Sequence, residues 1–170
     1  EDKRLPYYSQ PPFVQDPFHD SSQQENPSAL LNNRYKVETA VHYSNTGDVY
    51  LGTDTIGNRK VIIKEARPYI ESSSSGDCID MRKKEIAFFN LFPQYCPKVY
   101  DSFYEWEHYF TVVEFIEGPT LSEFSDRVVE EVYFDDLTGS YRQDAQKIII
   151  ELMKMIVAIH KFGITIHDIS

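Results

Sequence analysis

A run of β-branched residues that ends in a lysine most constrains how this chain can fold. Val61, Ile62 and Ile63 have the composition of a buried β-strand, and Lys64 follows them directly. Removing a lysine charge from water is costly, so Lys64 either reaches solvent from an edge strand or meets an opposite charge. The run therefore predicts a β-sheet and leaves the neutralisation of Lys64 as the open question.

The composition is that of a globular chain, either one domain or part of a larger protein, because 41% of its 170 residues are hydrophobic. The net charge of −10 argues against nonspecific nucleic-acid binding and against docking on an anionic membrane surface. The longest apolar stretch is interrupted by Glu151 and Lys154, so no membrane span is predicted. We therefore expect neither nucleic acid nor membrane as a partner.

The two cysteines give a hint about the compartment. Cys78 and Cys96 show neither a C-x-x-C motif nor a histidine at zinc-binding spacing. They are typical of reduced cytosolic thiols, and the charged, proline-rich N-terminus is not that of a signal peptide. The sequence therefore predicts a cytoplasmic protein.

The order of the predicted elements indicates an α+β fold. Residues 1–33 hold five of the nine prolines and predict a connector or a segment laid over a neighbouring domain. Alternation and turn signals then predict a strand at 35–44, two strands within 48–66, a helix at 79–92 and two strands within 97–118. We expect an antiparallel sheet with one helix packed on it, leading into a helical domain.

A second, longer helix is predicted at 143–163, with Gly163 as its C-terminal signal. It is apolar nearly all round, which predicts a place deep in a helical core. Because the chain begins at Glu1 and stops at Ser170 without a terminal signal, we expect it to be a segment of a larger protein.

The helix at 79–92 offers a partner for Lys64. Helical spacing puts Glu85 in the middle of an apolar stripe formed by Met81, Phe88, Phe89 and Phe92. A carboxylate at such a position needs a cation, so we expect Glu85 to pair with Lys64. The alternative is that Glu85 only flanks the stripe and reaches water.

Three further features carry weaker signals. Gly47 lies in the loop between the first two strands, where a glycine allows close approach of a phosphate or simply closes a hairpin. Residues 111–121 form a strand end followed by Gly118, as in a connector between lobes or at any strand end. His167 and Asp168 follow a short apolar extension, which fits either a general base or a capped turn.

Taken in order, these features resemble the signature set of protein kinases, from about residue 35 to Ser170. Each motif is weak alone, and their order and spacing carry the resemblance. It implies a kinase N-lobe at 34–113 with one αC-type helix, a hinge at 114–118 and the start of a helical C-lobe at 119–170.

The resemblance implies binding of ATP, or of another nucleoside triphosphate, together with Mg²⁺. In the pattern G-x-G-x-x-G-x-V the third glycine falls on Gly47, while His42 and Ser44 replace the first two. In V-A-I-K, Ile62 replaces the alanine and would form a bulkier roof over the adenine. The implied nucleotide-binding residues are Ser44, Asn45, Thr46, Gly47, Val49, Ile62, Lys64, Val113, Glu114 and Ile116.

Three residues receive catalytic roles from the resemblance. Lys64 would neutralise the phosphates, Glu85 would hold Lys64 in position, and Asp168 would accept the proton of the substrate hydroxyl. The H-R-D triplet is here Ile166-His167-Asp168, so only the aspartate is kept. No metal ligand is assigned, because the residues that hold Mg²⁺ in kinases would follow Ser170. We therefore expect this segment alone to be inactive.

The departures from the pattern point to one family. The loop "SNTGDVY" and the strand end "KEARP" resemble the kinase domain of class III lanthipeptide synthetases. That resemblance implies adjoining lyase and cyclase domains, with residues 1–33 as the connector from the lyase. It also implies a precursor peptide with a leader, whose Ser and Thr hydroxyls are phosphorylated before dehydration and ring formation.

Two other interpretations remain open at this point. One is a general bacterial Ser/Thr kinase or a small-molecule kinase of similar fold. The other is a pseudokinase that acts as a scaffold, which the lost glycines and the altered H-R-D triplet favour. The retained Lys64, Glu85 and Asp168 disfavour it.

Overall fold

The computed structural model describes Pro6, Phe13 and residues 30–70, 76–124, 126 and 139–165, with side chains of the last range described from residue 143. The chain divides into two compact units, Glu1–Phe115 and Ile116–Ser170. The predicted connector at 1–33 and the His167–Asp168 pair lie almost wholly outside the described residues. The proposed lobe and hinge boundaries stay predictions.

The first unit is built on a five-stranded antiparallel sheet. Its strands are β1 (Tyr35–His42), β2 (Val49–Asp54), β3 (Arg59–Ala66), β4 (Val99–Glu105) and β5 (His108–Glu114), in the spatial order β1-β2-β3-β5-β4. One helix, α1 (Cys78–Leu91), contacts β3, β4 and β5. The predicted α+β class is confirmed, and the arrangement is compatible with a kinase N-lobe.

The turns explain why β2 pairs with β3 and why β4 pairs with β5. Asn58 and Trp106 adopt positive φ angles of 47° and 55° in the two hairpin turns. The buried Asp54 carboxylate accepts hydrogen bonds from the backbone N–H groups of Ile56 and Gly57, which fixes the β2–β3 turn. The residues of the two turns therefore help to set the register of the β2–β3 pair and of the β4–β5 pair.

One face of the sheet carries the main hydrophobic core. Its buried residues are Leu31, Tyr35, Val37, Tyr50, Val61, Ile63, Phe110 and Val112. The opposite face is covered by α1, where Ala66, Cys78, Ile79 and Tyr109 form a second cluster. Because successive residues of a strand point to opposite faces, Lys64 lies on the α1 face. The sheet thus separates the main core from the region around Lys64.

The N-terminus of α1 is fixed by a capping box. The Asp77 carboxylate accepts hydrogen bonds from the backbone N–H groups of Ile79 and Asp80, at 3.0 and 3.1 Å. In return the Asp80 carboxylate accepts one from the Asp77 backbone N–H. These backbone donors, with that of Asp80 foremost, lower the pKa of Asp77. The cap sets where α1 starts and hence which of its residues faces β3.

The second unit contains the long helix α2 (Gly139–His160), which begins four residues before the predicted start. Among its described apolar side chains, Ile149, Ile150, Met153 and Val157 are exposed, and the expected place deep in a helical core stays a prediction. A helix buries a face only where another element covers it. Within the described part of this unit, the other helical segment is a short one that includes residues 121–124. No helix among the described residues is long and apolar enough to cross a membrane.

Candidate functional site

Lys64 lies on a central strand and has a partner. β3 is flanked by β2 and β5, so the edge-strand explanation for the lysine is wrong. Its Nζ is 2.7 Å from Oε1 of Glu85 on α1 and 5.5 Å from the centroid of the Phe89 ring. The predicted pair is present, and its side chains are 24% and 29% exposed, so a ligand in solvent has access to it.

A second cation shares the same carboxylate. Arg82, one turn earlier on α1, donates from Nη1 to Oε2 of Glu85. Burial raises the pKa of Glu85, but the charges of Lys64 and Arg82 outweigh that effect and hold its pKa below the usual range. Two cations around one carboxylate leave a local excess of one positive charge. This part of the site is therefore suited to an anion.

The apolar stripe that surrounds Glu85 is largely confirmed. Phe92 is buried, and Phe88 and Phe89 are half-buried, as the helical spacing predicts. Met81, however, is 53% exposed. It lines a pocket near the start of α1 instead.

That pocket opens between the β1–β2 loop, β3 and α1. It has a volume of about 260 Å³ and is lined by Thr46, Ala66, Cys78, Met81, Arg82 and Glu85. Cys78 donates its thiol to the carbonyl oxygens of Thr46 and Arg67. Burial raises the pKa of Cys78, which disfavours the reactive thiolate form. The pocket therefore lies between the predicted phosphate-binding loop, which contributes Thr46, and the predicted ion pair, which contributes Glu85.

The sheet brings four of the sequence-predicted residues to one face. Val49 pairs with Lys64, and Ile62 pairs with Val113, and directly paired residues share a face. Val113 is almost fully buried on β5, while Ile62 and Val49 are half-buried. This face is apolar on the β5 side and charged at Lys64. This face therefore combines apolar side chains with one positive charge.

The predicted hinge residues are exposed. The backbone N–H of Glu114 donates to the carbonyl of Lys98, and its side chain accepts from the same residue's backbone N–H. Ile116 is 65% exposed and belongs to the second unit. Asp168 lies outside the described residues, so its predicted role has no geometry here.

Gly47 allows the loop to pack closely against β3. A Cβ at this position would lie 2.1 Å from the carbonyl oxygen of Glu65, so the space that glycine leaves is filled by the neighbouring strand. Its φ of 148° also disfavours other residues. The Ser44 hydroxyl donates to the Gly47 carbonyl. Both residues shape the loop itself.

Sequence reasoning missed a group of charged residues on the other face of the sheet. Arg67 donates to the carbonyl of Ser44 and to the carboxylates of Asp48 and Glu65. The two carboxylates are nearly fully buried, and Glu65 also accepts from Tyr50. The strand end "KEARP" was a signal for this group, since two charges that alternate with apolar residues share the face opposite to Lys64.

Metal ligands are not apparent in the part of the chain that the structure describes. Among these residues no group of three or more His, Cys, Asp or Glu side chains could hold a metal ion. Kinase homology suggests the use of ATP and Mg²⁺ in general terms. The local positive charge at Lys64 and Arg82 and the neighbouring pocket fit the phosphates of such a nucleotide.

The strand lysine and the helix glutamate pair as the protein-kinase resemblance implies, and the glycine loop lies beside them. No family model matches the chain. It is 28% identical over 172 residues to the "Probable SapB synthase" of Streptomyces coelicolor, across 98% of this chain and 18% of that protein. It is 32% identical over 120 residues to "Serine/threonine-protein kinase C" of Synechocystis, across 62% of this chain and 22% of that protein.

The chain therefore spans about a fifth of the length of these two curated relatives. The similarity to the synthase covers nearly the whole chain, and the similarity to the kinase covers the larger part of it. This homology supports a kinase-like domain of a class III lanthipeptide synthetase, as the sequence motifs indicate.

Proposed function

We propose that this chain is part of an enzyme that transfers phosphate from a nucleoside triphosphate to Ser and Thr hydroxyls of a ribosomal precursor peptide. The phosphorylated residues would then feed dehydration and ring formation in lanthipeptide biosynthesis. The observation that carries the proposal is the Lys64–Glu85 pair on the α1 face of the sheet, beside the β1–β2 loop. Similarity to a SapB synthase across nearly the whole chain supports the substrate class.

The chemistry follows from the charges. A triphosphate needs neutralisation by a fixed cation, and Glu85 limits the positions that the flexible Lys64 side chain can take. The excess positive charge at Arg82 adds to the attraction of an anion. Bound Mg²⁺ would neutralise further charge on the phosphates. Phosphoryl transfer depends mainly on such positioning and charge stabilisation, for which this arrangement is suited.

The remaining assignments belong to the proposal. Val49, Ile62 and Val113 would contact the adenine, and Glu114 and Ile116 would offer backbone groups to it. The loop from Ser44 through Asn45 and Thr46 to Gly47 would lie over the phosphates. Asp168 would orient the substrate hydroxyl and accept its proton. A leader on the precursor peptide and adjoining lyase and cyclase domains would complete the system, in the cytoplasm.

The test is peptide phosphorylation by the full-length protein with the substitutions Lys64→Ala and Asp168→Asn. Mass spectrometry of the precursor peptide with Mg²⁺ and ATP or GTP should show a phosphate adduct, or its elimination product, with the wild type. Both variants should lose this product by at least about a hundredfold, or 2.7 kcal/mol. Near-normal modification by either variant would reject the assignment.

A general Ser/Thr protein kinase is the second candidate, which the similarity to the Synechocystis kinase favours. The same experiment separates the two. Phosphorylation of a general protein-kinase substrate such as casein, with none of the precursor peptide, would support this second candidate.

A further inference from the structure

The loop between β1 and β2 is held to the sheet by a cluster of charged and polar side chains, which we call the loop anchor: Asp48, Tyr50, Glu65, Arg67 and His108. Arg67 is its centre. Its Nη1 donates to the Ser44 carbonyl at 3.1 Å, and its Nη2 donates to Asp48 Oδ2 at 2.9 Å. One guanidinium therefore forms hydrogen bonds with both ends of the loop.

The loop is also closed on itself. The backbone N–H of Ser44 donates to Asp48 Oδ1 at 2.9 Å, while Asp48 Oδ2 receives Arg67. The backbone N–H of Arg67 donates to the Thr46 carbonyl, and that of Glu65 donates to the Asp48 carbonyl. These bonds extend the pairing of β2 with β3 into the loop. The loop conformation is thus fixed by the protein's own groups.

The anchor lies on the face opposite to Lys64. Glu65 alternates with Lys64 and Ala66 along β3, and its carboxylate accepts from Tyr50 OH at 2.8 Å and contacts Nδ1 of His108 at 2.5 Å. Thr46, by contrast, lines the pocket that contains Glu85 and Arg82. The loop anchor therefore holds the loop on the face opposite to Lys64. The side of the loop that carries Thr46 faces the pocket.

Because two carboxylates of the loop anchor are buried, position 67 requires an arginine. Asp48 and Glu65 are 4% and 2% exposed, so both carboxylates depend on Arg67 for a counter-charge and for hydrogen bonds. A guanidinium reaches several acceptors in fixed directions, whereas a lysine ammonium offers a compact point charge on a flexible chain. Lysine at this position would keep part of the charge and lose the bridge.

We propose that Arg67 is a positioning residue for the phosphate-binding loop, which it holds in its ligand-binding conformation before the nucleotide arrives. The inference rests on the proposed nucleotide site. It gives a physical reason for the strand end "KEARP" and for a loop that keeps only one glycine of G-x-G-x-x-G. A preformed loop binds phosphate without the entropic cost of ordering it.

The experiment compares Arg67→Met, Arg67→Lys and Asp48→Asn with the control Arg34→Met in the full-length protein. Arg34 pairs with the buried Asp54 near the far end of β2, so its loss removes a similar ion pair away from the loop. The readouts are hydrogen exchange of the Ser44 and Asp48 amides, and the dissociation constant of Mg·ATP by calorimetry.

The expected result is that Arg67→Met speeds exchange of both amides and weakens Mg·ATP about tenfold. Arg67→Lys should fall between wild type and Arg67→Met. Arg34→Met should change neither readout at an equal loss of thermal stability. Asp48→Asn keeps the shape of the side chain and removes its charge. If Arg67→Met does not fold, the same two readouts on Asp48→Asn test the loop anchor.

Two results would overturn the inference while leaving phosphorylation intact. They are unchanged amide exchange, or a Mg·ATP affinity that falls no further than in Arg34→Met. A wild type that binds Mg·ATP without modifying peptide or protein would instead contradict the proposed function, and the affinities would still judge Arg67. If the wild type did not bind Mg·ATP, faster amide exchange in Arg67→Met would show that the loop anchor is purely structural. That result would overturn the inference.

Discussion

Lys64 and Glu85 stand 21 positions apart in the sequence and join β3 to α1 through a contact of 2.7 Å. The pair is one direct link between the central strand of the sheet and the helix that covers it. Because its side chains are partly exposed, it adds little to stability on its own. Its position beside the pocket indicates that its value is the placement of the lysine ammonium.

We expect Glu85→Gln to impair activity more than stability. The amide keeps the size of the side chain but no longer restrains Lys64, so kcat/KM for peptide phosphorylation should fall roughly 10- to 100-fold, about 1.4–2.7 kcal/mol. The control is Glu38→Gln, which removes an exposed carboxylate from β1. Equal activity of the two variants would argue against a positioning role for Glu85.

The pH dependence of this pair has a definite sign. The pKa of Glu85 is depressed in the folded protein, so its contribution is complete above the unfolded value of about 4.3 and is lost as pH falls towards the folded one. The ratio of wild-type to Glu85→Gln activity should therefore stay constant from about pH 6 to 8. A ratio that changes strongly in that range would contradict a charged Glu85.

Gly47→Ala tests the close approach of the loop to β3. The added Cβ would meet the Glu65 carbonyl, and the positive φ adds strain, so we expect weaker Mg·ATP binding and a lower melting temperature. Gly163→Ala is the control, because its φ is also positive but no atom lies within 4 Å of the new Cβ. Its cost should be only that of backbone strain, about 1 kcal/mol. Equal effects of the two variants would show that the contact with Glu65 is unimportant.

Thr111→Val should stabilise the protein. Thr111 is 1% exposed on β5, opposite Lys64, and its hydroxyl has no hydrogen-bond partner among the described residues. Replacing an unsatisfied buried hydroxyl with a methyl group should gain about 1 kcal/mol in the free energy of unfolding by urea. Thr55→Val should have the opposite effect, because the Thr55 hydroxyl donates to the Arg34 carbonyl. A destabilised Thr111→Val would indicate a hydrogen bond that stabilises this hydroxyl.

Asp54→Asn should change the acid stability of the sheet. The hydrogen bond from Arg34 is the main reason that the pKa of Asp54 is well below its usual range. Its stabilisation is therefore complete above the unfolded pKa of about 3.9 and is lost as pH falls further. The difference in unfolding free energy between wild type and variant should be constant from pH 5 to 8 and shrink below about pH 4. A difference that grows in acid would contradict this.

The sheet and the Lys64–Glu85 pair were predictable because they follow from local pattern. Alternation, turn residues and helical spacing located the strands and α1. Lys64 and Glu85 each carry a charge that is costly to bury alone, so the sequence predicted that they pair. The edge or central position of β3 was not predictable, since it depends on β5 inserting next to it from far along the chain.

The loop anchor was missed because its members are spread over three strands and a loop. Nothing in the sequence near Asp48 shows that Arg67 bonds to it, although the pairing of β2 with β3 brings them together. The apolar pattern of α2 leaves its burial open for a related reason. An apolar pattern predicts that a face is suited to burial, and only the tertiary structure shows whether anything covers it.

The central claim is that Lys64 binds the phosphates of a nucleotide. The most direct measurement is calorimetric binding of Mg·ATP and of adenosine to the wild type and to Lys64→Met. The account predicts that the substitution weakens Mg·ATP at least about tenfold and leaves adenosine affinity unchanged, because only the phosphates meet the lysine. Unchanged binding of Mg·ATP, or an equal loss for both ligands, would contradict it.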